Sequence, residues 1–169
     1  MRLIVLLGLM PLAGCVAASE RLRESAPRDI ARTYATPTAM YARTLVIPSG
    51  YETIRLPGIV PDPVTPAAGD RPAVYGDTEQ QTESTLAKIR AQLAEAGAGE
   101  ADVVAATVYL VAPTPGGAMD FAGMNRAYAK HFGSVEQPNR PVRSTVEVAG
   151  LVAPGVLVEI EVTAARKPR

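Results

Sequence analysis

One cysteine and one histidine are all that 169 residues offer toward thiol or imidazole chemistry. A Cys/His zinc cluster is thereby excluded, because a structural zinc takes four such ligands. A disulfide within the chain is excluded as well. A Ser-His-Asp triad would have to use His131, since no other imidazole exists. Charge of one sign is also missing: 17 Lys and Arg stand against 17 Asp and Glu. No global field therefore favours nucleic acid or an anionic membrane. What remains is 47% hydrophobic and 20% charged, the composition of one ordinary globular domain with a core.

The lone cysteine has its own setting. "MRLIVLLGLMPLAGC" places one positive charge at Arg2 before an apolar run and then Leu12-Ala13-Gly14-Cys15. The run is too short to cross a hydrocarbon core of ~30 Å as a helix, and its layout is that of a secretory signal. Small residues before a cysteine resemble the lipobox of bacterial lipoproteins. That resemblance implies loss of residues 1–14, a lipidated Cys15 and export to the periplasmic side of the cell envelope. An ordinary signal peptide with a chance cysteine is the alternative. Val16, where inner-membrane retention would use Asp, points to the outer membrane. Residues 15–40 mix charges with Ala, Ser, Thr and Pro without an apolar period, and are expected to form a tether to a domain over 41–169.

Within that domain, Tyr41–Ile47 and Tyr51–Leu56 flank Pro48-Ser49-Gly50 and predict a hairpin. The four prolines of "PDPVTPAAGDRPAVYG" exclude helix and central strand, so a long loop follows. "DTEQQTESTLAKIRAQLAEAG" predicts a helix, with a capping box of Asp77 and Gln80, a Leu86/Ile89/Leu93 stripe and Gly97 as the stop. "ADVVAATVYLVA", apolar on both faces, predicts a central strand. Asp120 caps a second helix whose stripe is Phe121, Met124, Tyr128 and Phe132, ended by Gly133. "PVRSTVEV" and "LVEIEVTAA" are the last strands.

Two helices with one stripe each cover only one face of a sheet. Val146 and Val148, with Val156, Val158, Ile160 and Val162, are expected to meet them. Arg143, Thr145, Glu159 and Glu161 would then share the uncovered face, which invites a second copy of the chain.

Four stretches, "GDTEQQTESTLAKIRAQLAEAG", "DFAGMNRAYAKHF", "PVRSTVEVAGL" and "VEIEVTAAR", resemble the Rid (reactive intermediate deaminase, or YjgF) family in order and spacing over roughly residues 41–166. The resemblance implies a chorismate-mutase-like α+β fold, with a mostly antiparallel sheet and two helices on one face. It implies a homotrimer with ligand clefts between subunits, and hydrolysis of 2-iminoacids or their enamine (2-aminoacrylate-like) tautomers to 2-ketoacids and ammonia. Residue by residue, it places the carboxylate-binding and catalytic arginine at Arg143. A catalytic cleft carboxylate that orients the water or balances charge falls at Glu159, a ligand-facing backbone at Gly58 and a pocket hydroxyl at Thr145. Tyr41 is a loose counterpart of the aromatic that closes the cleft, and Asn125 matches a helix asparagine read as structural. No metal or other cofactor is implied, nor nucleic acid, and membrane contact only through the N-terminal lipid.

The family's Ser-Gly-Gln reads Pro57-Gly58-Ile59 here, and the loops at 61–75 and 112–118 are longer and are expected near the cleft. A planar guanidinium grips a carboxylate through two parallel hydrogen bonds, which suits Arg143 to an imino acid. Two alternatives stay open. Arg143 could instead pair with Glu159 or Glu147 as architecture, and the domain could bind a small carboxylate or a protein without chemistry. His131, at a helix end beside Phe132, suits the helix dipole.

A lipidated Cys15 makes one expectation testable. The wild-type chain should sediment with membranes, and Cys15→Ser should come out soluble or unprocessed. Soluble wild-type protein cleaved at another site would overturn the lipoprotein expectation.

Overall fold

The computed structural model describes residues 29–169; Cys15, the signal segment and the first part of the expected tether lie outside the described residues. Three strands come first: β1 (Ala31–Thr33), β2 (Thr44–Val46) and β3 (Glu52–Ile59). Helix α1 (Thr78–Glu95) follows, then β4 (Val103–Leu110), helix α2 (Phe121–His131), β5 (Val142–Glu147) and β6 (Val158–Arg166). β3, β6, β4 and β5 form one sheet in that spatial order. β6 runs antiparallel to both β3 and β4, and β5 runs parallel to β4. This is the α+β architecture that the sequence implies.

Both helices form where their caps dictate. In α1 the Asp77 carboxylate accepts from Gln80 N–H at 2.9 Å, and Asp77 N–H donates to Gln80 Oε1 at 3.0 Å. Gly97 at φ 72° ends the helix. Gly97 N–H donates to Ala94 O and Ala98 N–H to Leu93 O, the paired bonds that satisfy the last carbonyls. In α2 the Asp120 carboxylate accepts from Gly123 N–H at 2.8 Å.

Leu86, Ile89 and Leu93 of α1 and Met124 and Tyr128 of α2 are fully buried, and Phe132 nearly so. They pack on Val108 and Leu110 of β4 and on Val158, Ile160 and Val162 of β6. Burying each such side chain contributes about 1.5–3 kcal/mol. α1 also buries polar groups. Gln81 Nε2 donates to Gly76 O and Gly155 O, and its Oε1 accepts from Leu157 N–H at 2.7 Å, which ties the helix start to the approach to β6.

Two expectations give way. β2 does not pair with β3 across Pro48-Ser49-Gly50; it pairs antiparallel with β1, from Ala31↔Val46 to Thr33↔Thr44. β3 spends its backbone on β6, from Glu52↔Arg166 to Ile59↔Ile160, and so places the half-buried Ile54 and Leu56 against the core. The chain from residue 29 to 40 is accordingly folded onto the domain. Arg32 Nη2 donates to Ala101 O and Val103 O, and Arg140 N–H donates to the Tyr34 hydroxyl. Residues 29–40, expected as tether, therefore belong to the folded domain.

The sole histidine clamps α2 to its neighbours. His131 lies 2.6 Å by Nδ1 from Glu100 and 2.9 Å by Nε2 from Glu83, and Lys130 reaches Glu83 at 2.5 Å. Burial alone would lower the imidazole pKa, but the two carboxylates together outweigh it and raise it above the ordinary 6.5. A raised folded pKa means stability that is complete below about 6.5 and is lost as pH climbs through the folded value. The urea midpoint should therefore fall between pH 6 and 9, and His131→Gln should flatten that slope. An equal slope in the variant would mean that His131 does not carry it.

Candidate functional site: an arginine without an acid in an aromatic cleft

The parity of β4 decides which side chains meet. Ala106 lies opposite both Arg143 and Val162, and Val108 opposite both Thr145 and Ile160. Paired residues share a face, so Arg143 and Thr145 lie on the helix-covered face with the core. Tyr109 lies opposite Val146 and Glu159, and Thr107 opposite Ser144 and Glu161. These occupy the open face. The expectation that Arg143, Thr145, Glu159 and Glu161 share one face is therefore wrong, and so is the inward placement of Val146, which is 41% exposed. The valines of β6 do face the helices as expected. β5 is an edge strand at the rim of the helix layer, where a long cationic side chain can lie inward against α2 while the shorter valines turn outward.

On the covered face, Arg143 meets rings instead of acids. Its guanidinium carbon lies 4.5 Å from the Tyr128 ring centre, 5.6 Å from that of Tyr41 and 5.7 Å from that of Phe121. Its Nη1 approaches Met124 Sδ at 3.9 Å. Among the described residues, no carboxylate lies within ion-pair distance of it. Within one chain, Arg143 thus pairs with neither Glu159 nor Glu147. Burial lowers the arginine pKa, and Tyr128 and Tyr41 offset this in part. The group stays charged nonetheless, because arginine keeps its proton in proteins. Burial likewise pushes the Tyr128 hydroxyl far above its ordinary range.

In front of the guanidinium lies a cleft of about 330 Å³ lined by Ala35, Thr38, Ala39, Met40, Tyr41, Phe121, Asn125 and Arg143. Its outer wall is the connection between β1 and β2, held by Ala42 N–H donating to Pro141 O at 2.9 Å. Three polar atoms on α2 and β5 are buried without hydrogen-bond partners: Asn125 Oδ1, Tyr128 OH and Thr145 Oγ1. Unmade bonds of this kind are costly in a core. Neither of the long loops at 61–75 and 112–118 lines this cleft. The first is pinned along α1 by Lys88 to Asp62 at 2.6 Å, and the second borders grooves beside Glu147 and Leu151.

On the open face, Tyr109 OH donates to Glu161 Oε2 at 3.2 Å. Gly58 lies directly under Glu159, and a Cβ there would collide with Glu159 Oε1. Glycine at 58 is thus what lets the carboxylate rest on the β3 backbone.

The predicted residues divide accordingly. Arg143 and Tyr41 line one cleft, with Thr145 next along the same face of β5; Gly58 and Glu159 form a pair on the other side of the sheet. Sequence reasoning missed Phe121, Met40 and Asn125 as cleft residues. Phe121 was assigned to the core stripe, yet it is 42% exposed. Its place as the first helical residue after the Asp120 cap was the available signal, since that position leans out over the helix start.

A model of the family described as Endoribonuclease L-PSP matches residues 32–166. A RutC family protein of Pyrococcus abyssi is 40% identical over 102 residues, 60% of this chain and 71% of its own length. One from Haemophilus influenzae is 39% identical over 105 residues, 62% and 74% of the two chains. Among solved structures, a Rid-family protein of Yersinia pestis aligns with a TM-score of 0.59 at 26% identity, covering 81% of this chain and 97% of its own. A YjgF-family protein of Neisseria meningitidis aligns with a TM-score of 0.51 at 30% identity, covering 83% and 98%.

An arginine held without an acid costs the fold solvation and gains ring contacts, each about 0.5–2 kcal/mol, and one weak contact with the Met124 sulfur. Arg143→Met fills similar volume without the charge. Its stability in urea should stay within about 1 kcal/mol of wild type or exceed it. A loss of about 3–5 kcal/mol, the figure for breaking a buried ion pair, would reveal a structural partner.

Proposed function

Because this chain belongs to the Endoribonuclease L-PSP family, the Rid (YjgF) family that its sequence resembles, we propose that it hydrolyses 2-iminoacids to 2-ketoacids and ammonia. The observation that carries this reading is the Arg143 guanidinium, which faces an open cleft with no carboxylate partner of its own. A ligand carboxylate would supply the missing charge through two parallel hydrogen bonds.

Held there, a protonated C=N carbon is already electrophilic, so a positioned water suffices and proximity supplies much of the acceleration. Water adds to that carbon and gives up a proton, the nitrogen gains one, and the C–N bond breaks to release ammonia as the ketone forms. An enamine substrate first takes a proton on its β-carbon to become the imine. The residues lining the cleft include no carboxylate to receive the proton of the water. Glu159 suits that role, but it lies on the opposite face of its own sheet. A site using both residues therefore takes Arg143 from one copy and Glu159 from another. Exposed Val146 and the open face around Glu159 support such a seam, and a closed ring of three copies is the assembly proposed.

The proposed setting is the cell envelope, with the domain held by a lipid on Cys15. RNA is a poor fit to this cleft: backbone binding draws on many cations, and the cleft presents Arg143 alone. The lack of a base within one chain favours a second reading, a carboxylate-binding module without chemistry, should the copies not assemble.

Ammonia and ketoacid release from imino acids generated in place by an amino acid oxidase tests both. A charge-assisted hydrogen bond contributes ~1.5–3 kcal/mol, so Arg143→Ala should lose at least about tenfold in rate. Arg143→Lys, which keeps the charge and loses the fork, should remain badly impaired. Glu159→Gln should also be slow. Co-assembled with Arg143→Ala, it should recover roughly a quarter of wild-type activity, as random mixing around a closed ring dictates. No recovery would remove the shared site, and a wild-type chain without hydrolysis would leave the binding reading.

A further inference from the structure

The walls of the Arg143 cleft say what kind of molecule it holds. Arg143 is its one strongly charged residue, and the other polar side chains are Thr38, Asn125 and the half-exposed Tyr41. Ala35, Ala39, Met40 and Phe121 make the rest of the lining apolar. Phe121 is a large ring left 42% exposed, and its position is set by the Asp120 cap, whose carboxylate accepts from Gly123 N–H. The opposite wall is fixed by the β1–β2 ladder and by Tyr34 and Ala42 docking on Arg140 and Pro141.

We propose that this cleft selects monocarboxylates with a bulky, uncharged, apolar side chain, and that Phe121 and Met40 set that choice. The inference rests on the reading of Arg143 as the carboxylate anchor. Three physical reasons converge on it. A second carboxylate would enter the cleft with no cation left to meet it, and the cost of stranding a charge is large. A cationic side chain would find no acid among the walls that this chain supplies and would face the like charge of Arg143, while Glu159 of the adjoining copy is engaged with the water in the proposed site. A methyl group is too small to cover Phe121 and Met40, whereas an isobutyl or benzyl group gains their contact, and a few buried methylenes are worth tenfold or more in discrimination. The volume of about 330 Å³ is in the range of small-molecule sites.

Stable 2-ketoacids allow a test that does not depend on catalysis. Calorimetric titration of the full chain in detergent should rank 4-methyl-2-oxopentanoate and phenylpyruvate about tenfold or more above pyruvate and 2-oxoglutarate. Phe121→Ala should shrink that ratio to within about threefold, and Arg143→Ala should abolish binding of all four. Pyruvate or 2-oxoglutarate binding as tightly as the apolar acids would overturn the proposal, as would an unchanged ratio in Phe121→Ala. Apolar preference without imine hydrolysis supports this inference and removes the catalytic reading. Hydrolysis that proceeds without side-chain preference does the reverse. If none of the four binds, the Arg143 anchor and this inference fall together.

Discussion

The alternation of β4 is the constraint on which the rest of the molecule depends. Flanked by β6 and β5, this strand sends Ala106, Val108 and Leu110 into the helix layer and Thr107 and Tyr109 out of it. Burial of one set is enforced by the apolar stripes of α1 and α2, so the register cannot slip by one residue without exposing the core. Every neighbour inherits that parity. Arg143 faces inward because it lies opposite Ala106, and Glu159 faces outward because it lies opposite Tyr109. A single chain thus separates the cation and the carboxylate that a shared site would need.

An inward arginine is tolerated only because of where it sits. β5 is the edge strand beside α2, so the guanidinium lies against the Tyr128, Phe121 and Tyr41 rings at the rim of the core. Aromatic faces stabilise a cation without neutralising it, and apart from the weak contact of Nη1 with Met124 Sδ they leave its hydrogen-bonding fork unspent. An acid in the same place would have stabilised the fold and closed the site. The buried, partnerless oxygen of Asn125 belongs to the same arrangement, in which the fold leaves a polar group unmatched on a residue that lines the cleft.

The outer wall of the cleft is built from residues whose composition reads as linker. Ala35, Thr38 and Ala39 have little capacity to form a core of their own. They are positioned because β1 and β2 pair across them and because Arg32 and Tyr34 fasten the unit to the start of β4 and to Arg140. His131 does comparable work at the far end of α2, where Glu83 and Glu100 hold the helix that carries Phe121, Asn125 and Tyr128. The cleft is thus assembled from pieces distant in the chain, each held by ordinary backbone or ionic contacts.

By itself the sequence determined what local interactions decide. The caps of both helices, the Leu86/Ile89/Leu93 stripe, the buried central strand and the alternating β6 all follow from contacts within a few residues, and each stands where its pattern places it. The family motifs likewise marked out Arg143 as the residue to watch. Only the tertiary structure decided which partner each strand takes and which face of an edge strand turns inward. Tyr41–Ile47 and Tyr51–Leu56 read as a hairpin, because nothing local distinguishes β1 from β3 as the mate of β2. Val146 read as core because valine is apolar, yet at an edge the parity of β4 outweighs the preference of one side chain. Phe121 read as core for the same reason. Burial is a property of the assembled neighbours, and a residue's own chemistry states only what burial would be worth.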